Sequence, residues 1–467
     1  MESIMTHVSS HSHRRFNQGR GGGWHPKDPA VVAGFIGWLR QEAKARNLAE
    51  APPITALRTL VQTTPSLFSL ANAMFAEALE KAPETPLGQP SVVDFDEFVL
   101  LLNVIMQTAP EAYQNKNDHP PPEYEAAGLI GFPINALLNW PMATDAGYNF
   151  FSDLLVNSSF RAILVYWSQF LVSPASTYVL TEEPRKISPD TVAVPWLGPD
   201  AQAEMVKVAY TALGDGSNPT PQTFSEIFTC DPSQPSYGFQ SWDGFFTRTF
   251  RPGVRPVSAP DDPDIIVNAC ESGPLQVVPN VAANAEFWLK GQPYSLTDMM
   301  GADPLAAQFT GGTVYQAFLS ALSYHRWHSP VDGTVVKAFV IPGSYYLENY
   351  YQGYAGADPD SSAPNQSQPF LSSVATRAVM FLQSDNPKIG LMCVVAIGMA
   401  EVSSCEITVA AGQHVNKGDQ IGMFHFGGST HCLVFRPGVN LTFDFYGQTP
   451  NINATNMRVN TKLATVS

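Results

Sequence analysis

The sequence predicts an α+β protein, with a helical domain followed by a predominantly β domain of sandwich-like barrel character. Three observations carry this. Apolar residues recur at helical spacing up to about residue 175. β-Branched, aromatic and continuous apolar runs separated by turn residues dominate after about residue 260. Asp332-Gly333 and Asp385-Asn386-Pro387 have hairpin chemistry.

Taken in order, residues 1–24 are polar and rich in Ser, His, Arg and Gly, without the apolar run of a signal peptide, and read as a mobile segment. A helix is expected over 29–47, where Val31, Phe35 and Trp38 share one face and Arg40, Glu42, Lys44 and Arg46 mostly lie elsewhere. Thr64-Pro65 reads as an N-cap and first-turn proline, followed by Leu67, Leu70 and Met74 on one stripe. Residues 95–107 and 150–172 are longer apolar helices with Pro110 and Pro174 as stop signals, while 115–122 is a proline-rich surface loop. These elements define a helical domain over 25–175, whose plainest role is scaffolding. Residues 176–200 read as a connector, a further helix is expected from Pro199 to Ala212, and 201–467 form the β domain. Its strands are expected at 262–269, 334–341, 378–382, 391–397 and 405–409.

Composition narrows the function. With 467 residues, 44% of them hydrophobic and 11% aromatic, the chain can bury a sizeable core. Lys and Arg total 26 against 41 Asp and Glu, a net charge of −15 that repels phosphate backbones and anionic lipid heads. No run reaches the ~18 apolar residues of a spanning helix. Five cysteines without a C-x-x-C pair argue against a disulfide framework or a structural zinc site. A soluble cytoplasmic protein is expected, with no nucleic-acid partner and no stable membrane insertion.

Three constellations could carry chemistry. In Phe426-Gly427-Gly428-Ser429-Thr430, two glycines free the backbone beside a hydroxyl, as attack by Ser429 on the Gly428 carbonyl would require. A simple turn between strands explains the same residues. In Tyr324-His325-Arg326-Trp327-His328, the two histidines have metal-ligand spacing, but no cysteine or carboxylate run completes a site. On a strand they face opposite sides, which fits two separate roles better. In Cys270-Glu271-Ser272, Glu271 could support an imidazole or serve as an ordinary carboxylate.

Jointly these blocks resemble a known family. The stretch FQSWDGFFTRTFRPGVRPV (residues 239–257), then IIVNACESG, YHRWHSPVDGTVV and GQHVNKGDQIGMFHFGGST, is similar in order and spacing to the phosphatidylserine decarboxylases. With its GGGWHPKD segment, the helical half further resembles a fungal branch that carries an extra helical domain. That branch includes L-tryptophan decarboxylases acting on the free amino acid. The resemblance implies a zymogen that makes its own pyruvoyl cofactor by autocatalytic cleavage between 428 and 429. Ser429 would attack Gly428, and β-elimination and hydrolysis would leave a β chain of residues 1–428 and an α chain of residues 429–467 capped by pyruvoyl. It implies His328 as the base, Glu271, where the family usually has Asp, as its orienting carboxylate, and His325 as the acid that protonates Cα after decarboxylation. The substrate amine would form a Schiff base with the ketone, so no pyridoxal phosphate is required.

The substrate is less marked. A tyrosine-rich loop over 343–370 (Tyr345, Tyr346, Tyr350, Tyr351, Tyr354) could stack on an indole or phenol ring, or simply pack on itself. A free aromatic amino acid, tryptophan first, is favoured over a lipid. From another class, SPVDGTV (329–335) and GQHVNKGD (412–419) have the cadence of the two half-motifs of a lipoyl or biotinyl carrier. Only Lys337 and Lys388 lie between them, neither flanked by methionines, so the cadence is read as a sign of a related sandwich-like fold.

Overall fold

A computed structural model describes residues 29–81, 92–115, 129–130, 132–186, 191–216, 222–285, 293–320, 322–349, 367–401, 404–425 and 427–467. The amino-terminal segment, the 115–122 loop beyond Asn115, and Tyr350, Tyr351 and Tyr354 lie outside the described residues.

The helical region opens with α1 (Pro29–Arg46), α2 (Pro52–Thr63), α3 (Pro65–Lys81) and α4 (Phe95–Ile105). Proline begins α2, and α3 starts at Pro65 as expected. Asp94 caps α4 by accepting from the Glu97 N–H, and Arg40 of α1 clamps the Glu97 carboxylate at 2.7 Å. After α5 (Pro133–Leu138), the single helix expected over 150–172 is divided into α6 (Asp145–Ser152) and α7 (Leu154–Leu171). Asp153 causes the break. Its backbone is extended, and its carboxylate accepts from the N–H groups of Leu155 at 2.8 Å and Val156 at 3.1 Å, starting a new helix. Phe98, Phe150, Phe151 and Phe160 fuse these helices into one aromatic core, with Phe151 and Phe160 centroids 5.4 Å apart.

The expected connector over 176–200 is more ordered than its composition indicates. It contributes β3 (Arg185–Lys186) and β4 (Thr191–Val194), which join β1 (Glu111–Asn115) and β2 (Leu129–Ile130) in a sheet of order β2-β1-β4-β3. The β-branched Thr191-Val192-Ala193-Val194 run is the local signal for pairing. α8 (Pro199–Thr211) follows as expected, then the short α9 (Phe224–Ile227) and α10 (Trp242–Phe246).

Thirteen further strands build the second half: β5 (Ile265–Val267), β6 (Gly273–Val278), β7 (Thr313–Leu319), β8 (Arg326–His328), β9 (Gly333–Ile341), β10 (Arg377–Ser384), β11 (Leu391–Met399), β12 (Ser404–Ile407), β13 (His414–Val415), β14 (Gln420–His425), β15 (Gly428–Phe435), β16 (Leu441–Phe443) and β17 (Lys462–Val466). A seven-stranded sheet runs β13-β9-β10-β11-β15-β7-β6, beside two three-stranded sheets, β12-β14-β8 and β16-β17-β5. Side chains alternate across it. Cys432 and Val434 of β15 join the core shared with the helices, whereas Leu433 and Phe435 join a second core with Ile266, Trp327, Phe424 and Leu463. The large sheet is thus sandwiched between a helical layer and the short sheets.

Asp385-Asn386-Pro387 lies between β10 and β11, which pair as a hairpin. Asp332-Gly333 does not make one: it carries the chain from β8 in a small sheet to β9 in the large one. Gly333 is required there, because a Cβ would lie 2.5 Å from the Gln383 carbonyl oxygen. The two half-motifs pair: β13 lies against the start of β9, and Ser329 exchanges backbone bonds with Asp419 and Gly418 at 2.7 and 2.8 Å. Among the described residues, no helix is long and apolar enough to cross a membrane.

Candidate active site

Ser429 is the second residue of β15, hydrogen-bonded laterally between Leu319 of β7 and Gly398 of β11. Gly427, just before the strand, has φ +120°, a conformation side-chain-bearing residues reject. Strand alternation turns Ser429 and His431 to the face of the second core, while Thr430 turns away and donates to the Ala317 carbonyl at 2.9 Å. Ser429 is fully buried, yet its Oγ has no hydrogen-bond partner. A buried orphan hydroxyl costs about 1–3 kcal/mol, so its retention calls for a reason. His431 is also buried with both ring nitrogens unpaired, and burial pushes it down to about 3.

His325 immediately precedes β8 and His328 is its last residue. His325 stacks on Phe246 of α10, centroids 4.0 Å apart and planes 19° from parallel. Neither of its ring nitrogens makes a hydrogen bond. Burial, reinforced by the positive Arg248, pushes its pKa well below the ordinary imidazole value and keeps the ring neutral. Arg248 is itself buried and braces the turn before His325, donating to the Leu322 carbonyl at 2.9 Å.

The geometry fixes the tautomer of His328. Its Nδ1 lies 2.7 Å from the Gly418 carbonyl oxygen, which can only accept, so Nδ1 carries the proton. Nε2 is therefore the free base and accepts from the Tyr324 hydroxyl at 3.0 Å. Burial is the main cause that lowers the pKa of His328, so this base is unprotonated at neutral pH.

The hydrogen bond expected from Glu271 to His328 is not formed. The Glu271 carboxylate is occupied by the Arg255 guanidinium, at 3.0 and 3.2 Å from Nε and with a further bond from Nη2, and by the Val459 N–H at 2.8 Å. Gly418 instead orients the imidazole. Glu271 still acts through its charge, which favours the protonated forms of both His328 and Tyr324. Arg255 and Glu271 are only 5% and 1% exposed, so Glu271→Ala leaves a buried cation unpaired. That substitution is expected to cost about 3–5 kcal/mol of stability, measured as a lower denaturant midpoint at unchanged slope. Neither histidine is hydrogen-bonded to Ser429 in the uncut chain.

Sequence reasoning missed several residues that shape the site. His425 ends β14, one residue before Phe426-Gly427, and its ring is held between Asp243 and Glu406, each at 2.9 Å. Burial alone would lower its pKa, but the two carboxylates raise it. Asn157 of α7 donates to the Gly343 carbonyl at 2.8 Å and accepts the Tyr345 N–H at 2.9 Å, gripping the tyrosine loop from the helical side. His425 lies inside the GQHVNKGDQIGMFHFGGST block, but its partner Asp243 is 182 positions away, and the partners of Asn157 are 186 and 188 positions away, so neither role shows locally.

Tyr345 and Tyr346 line a small cleft with Met142, Leu371, Gly398, Met399 and Ala400. Gly398 and Met399 are the cross-strand partners of Ser429 and Gly428, so this cleft adjoins the Gly428-Ser429 peptide. Tyr346 is buried against Phe160 and Phe151, centroids 5.3 and 6.0 Å away. Tyr346 at φ +59° and Ala400 at φ +53° both hold the left-handed conformation that costs a non-glycine residue about 1–3 kcal/mol.

Two family models, both described as phosphatidylserine decarboxylase, match residues 242–455 and 51–205. Decarboxylase iboD of Amanita muscaria is 40% identical over 322 residues, covering 67% of this chain and 86% of that protein. An L-tryptophan decarboxylase of Psilocybe cubensis is 33% identical over 426 residues, 89% of this chain and 88% of that one. The phosphatidylserine decarboxylase proenzyme 3 of Schizosaccharomyces pombe is more distant, 30% identical over 221 residues, 47% of this chain and 21% of its own.

Proposed function

The chain belongs to the phosphatidylserine decarboxylase family and is a pyruvoyl-dependent decarboxylase, and from that premise we propose that it matures by cutting itself between Gly428 and Ser429 and then acts on a free aromatic L-amino acid, tryptophan first. The observation that carries the first part is the buried, unpartnered Ser429 hydroxyl directly after two glycines at the start of β15. A nucleophile so placed has its own Gly428 carbonyl as neighbour.

Ser429 Oγ attacks the Gly428 carbonyl carbon, and the Gly428–Ser429 amide becomes an ester. Elimination breaks the Cβ–O bond, leaving the Gly428 carboxylate and a dehydroalanine, whose hydrolysis consumes water and releases ammonia. His328 Nε2 is the base for the Ser429 proton, oriented through Nδ1 by Gly418. Tyr324 either yields Nε2 to the serine or carries the proton across. The group formed at residue 429 supplies a ketone that captures the substrate amine and accepts the electron pair freed with carbon dioxide. His325, held flat on Phe246, delivers to Cα a proton, drawn ultimately from water, in place of the lost carboxylate. Glu271 supports the cluster by its charge. In this reading residues 201–467 form the catalytic domain, and the helical domain over 25–175 holds the tyrosine loop through Asn157.

The substrate assignment draws its support from the tryptophan-decarboxylating relative that spans 89% of this chain, together with Tyr345 and Tyr346 beside the scissile peptide. Purified enzyme is expected to release carbon dioxide from tryptophan or tyrosine and not from phosphatidylserine vesicles. Release from the lipid alone overturns the assignment and makes this a membrane-surface phosphatidylserine decarboxylase.

A further inference from the structure

One imidazole joins three elements at the end of β14. His425 places Nδ1 at 2.9 and 3.1 Å from the two carboxylate oxygens of Asp243 in α10, and Nε2 at 2.9 Å from a carboxylate oxygen of Glu406 in β12. A carboxylate only accepts hydrogen bonds, so both ring nitrogens donate and His425 is an imidazolium. Charge-assisted bonds of this kind are shorter and stronger than neutral ones. The contacts also close a circuit through His325. Asp243 lies three residues before Phe246 in α10, and Phe246 stacks on Trp242, centroids 5.1 Å apart, and on His325, centroids 4.0 Å apart. Phe424, the neighbour of His425 in β14, donates its N–H to the His325 carbonyl at 2.9 Å. With no hydrogen bond to either ring nitrogen, the His325 ring takes its orientation from the Phe246 stack.

We propose that His425 is a positioning residue for decarboxylation: by bridging Asp243 and Glu406 it locks α10 onto β14 and holds Phe246 against the His325 ring that protonates Cα. The proposal rests on the reading of His325 as that acid and adds what aims it. His425 acts through His325 and has no separate part in the chemistry. The charge on the ring decides when the lock holds. Asp243 faces it from α10 and Glu406 from β12, while Arg326 of β8 is engaged by the Thr247 carbonyl at 2.7 Å and by Gln420 at 2.9 Å. Burial lowers the pKa of His425, but the two carboxylates outweigh it and the net shift is upward from 6.5. Both bonds therefore hold as pH rises through 6.5, and one loses its donor only as pH passes the raised value.

Self-cleaved wild type, His425→Ala, His325→Ala and the double variant are compared on whichever of tryptophan, tyrosine and phosphatidylserine vesicles the wild type decarboxylates. His425→Ala is expected to lower kcat by about tenfold to a hundredfold with KM unchanged, because the acid is misaimed while the amine is still captured. The double variant is expected to be no slower than His325→Ala alone, since a lock with nothing to aim contributes nothing further. Glu406→Gln lies at a half-exposed position that the core does not depend on. It removes one of the two charges that favour the imidazolium, so the alkaline decline of kcat is expected at lower pH than in wild type. Unchanged kcat in His425→Ala, losses that multiply in the double variant, or the same alkaline profile in wild type and Glu406→Gln each overturn the positioning role and leave the decarboxylase reading standing. A His325→Ala enzyme that turns over as fast as wild type removes His325 as the acid, and the role of His425 falls with it.

Discussion

Ser429→Ala is expected to remain one chain of 50.8 kDa with no detectable decarboxylation, whereas the wild type yields a fragment of residues 429–467 with a blocked amino terminus. The effect is all or none because the hydroxyl supplies both the attacking atom and the atoms of the ketone. Alanine at 429 leaves nothing to attack Gly428 and nothing to capture an amine. The same substitution is expected to leave stability unchanged or raise it by about 1 kcal/mol, since the Oγ it removes is buried without a hydrogen bond. This sign separates a chemical role from a structural one. Intact mass reads the cleavage, and a thermal melt of the variant reads the stability. Cleavage at 428–429 in Ser429→Ala removes the serine from the mechanism, and a full-length wild type that is active removes self-processing altogether.

The parts of this architecture that could be read from sequence are those written locally. The apolar stripe of α1, the proline start of α3 and the runs that became β9, β10 and β11 each depend on residues within one turn or one strand. Asp153 shows where local reading reached its limit. The stretch 150–172 is apolar enough for one helix, yet a single carboxylate bonding two N–H groups made two helices cheaper than one. Asp332-Gly333 has turn chemistry, but whether a turn joins strands of one sheet or hands the chain to another depends on distant pairing, here with Gln383 and His414. The site divides in the same way. Ser429, His325 and His328 lie in short motifs, while Glu271 is claimed by Arg255 and Val459, and the orienting contact passes to a backbone carbonyl at Gly418. A carbonyl has no sequence signature. Asn157 was illegible for a related reason: its partners lie more than 180 residues away, so only the folded chain shows that it holds the tyrosine loop.

The two histidines are expected to fail differently. His328→Ala should stay uncut, because no other described base is both neutral and oriented with a free ring nitrogen toward a hydroxyl. His325→Ala should still cut and then turn over about 10²–10⁴-fold more slowly, the usual contribution of a positioned acid or base. The pH dependence of cleavage follows from the environment of His328. Only its neutral form accepts a proton, and burial, with Arg326 adding to it, lowers its pKa from the ordinary value of 6.5, while Gly418, Asp419 and Glu271 oppose the shift without cancelling it. A base with a lowered pKa remains unprotonated further into acid. The first-order cleavage rate of freshly made precursor should therefore stay level as pH falls through 6.5 and decline only below it. Arg326→Ala removes one cause of the lowering and should move that decline toward higher pH, a shift that a merely structural loss would not produce. A midpoint at or above 6.5 in the wild type, or cleavage that fails in His325→Ala and persists in His328→Ala, would exchange the parts assigned to the two rings. The stacking of His325 on Phe246 would then have to position a nucleophile's base, and the Gly418 carbonyl would orient an acid.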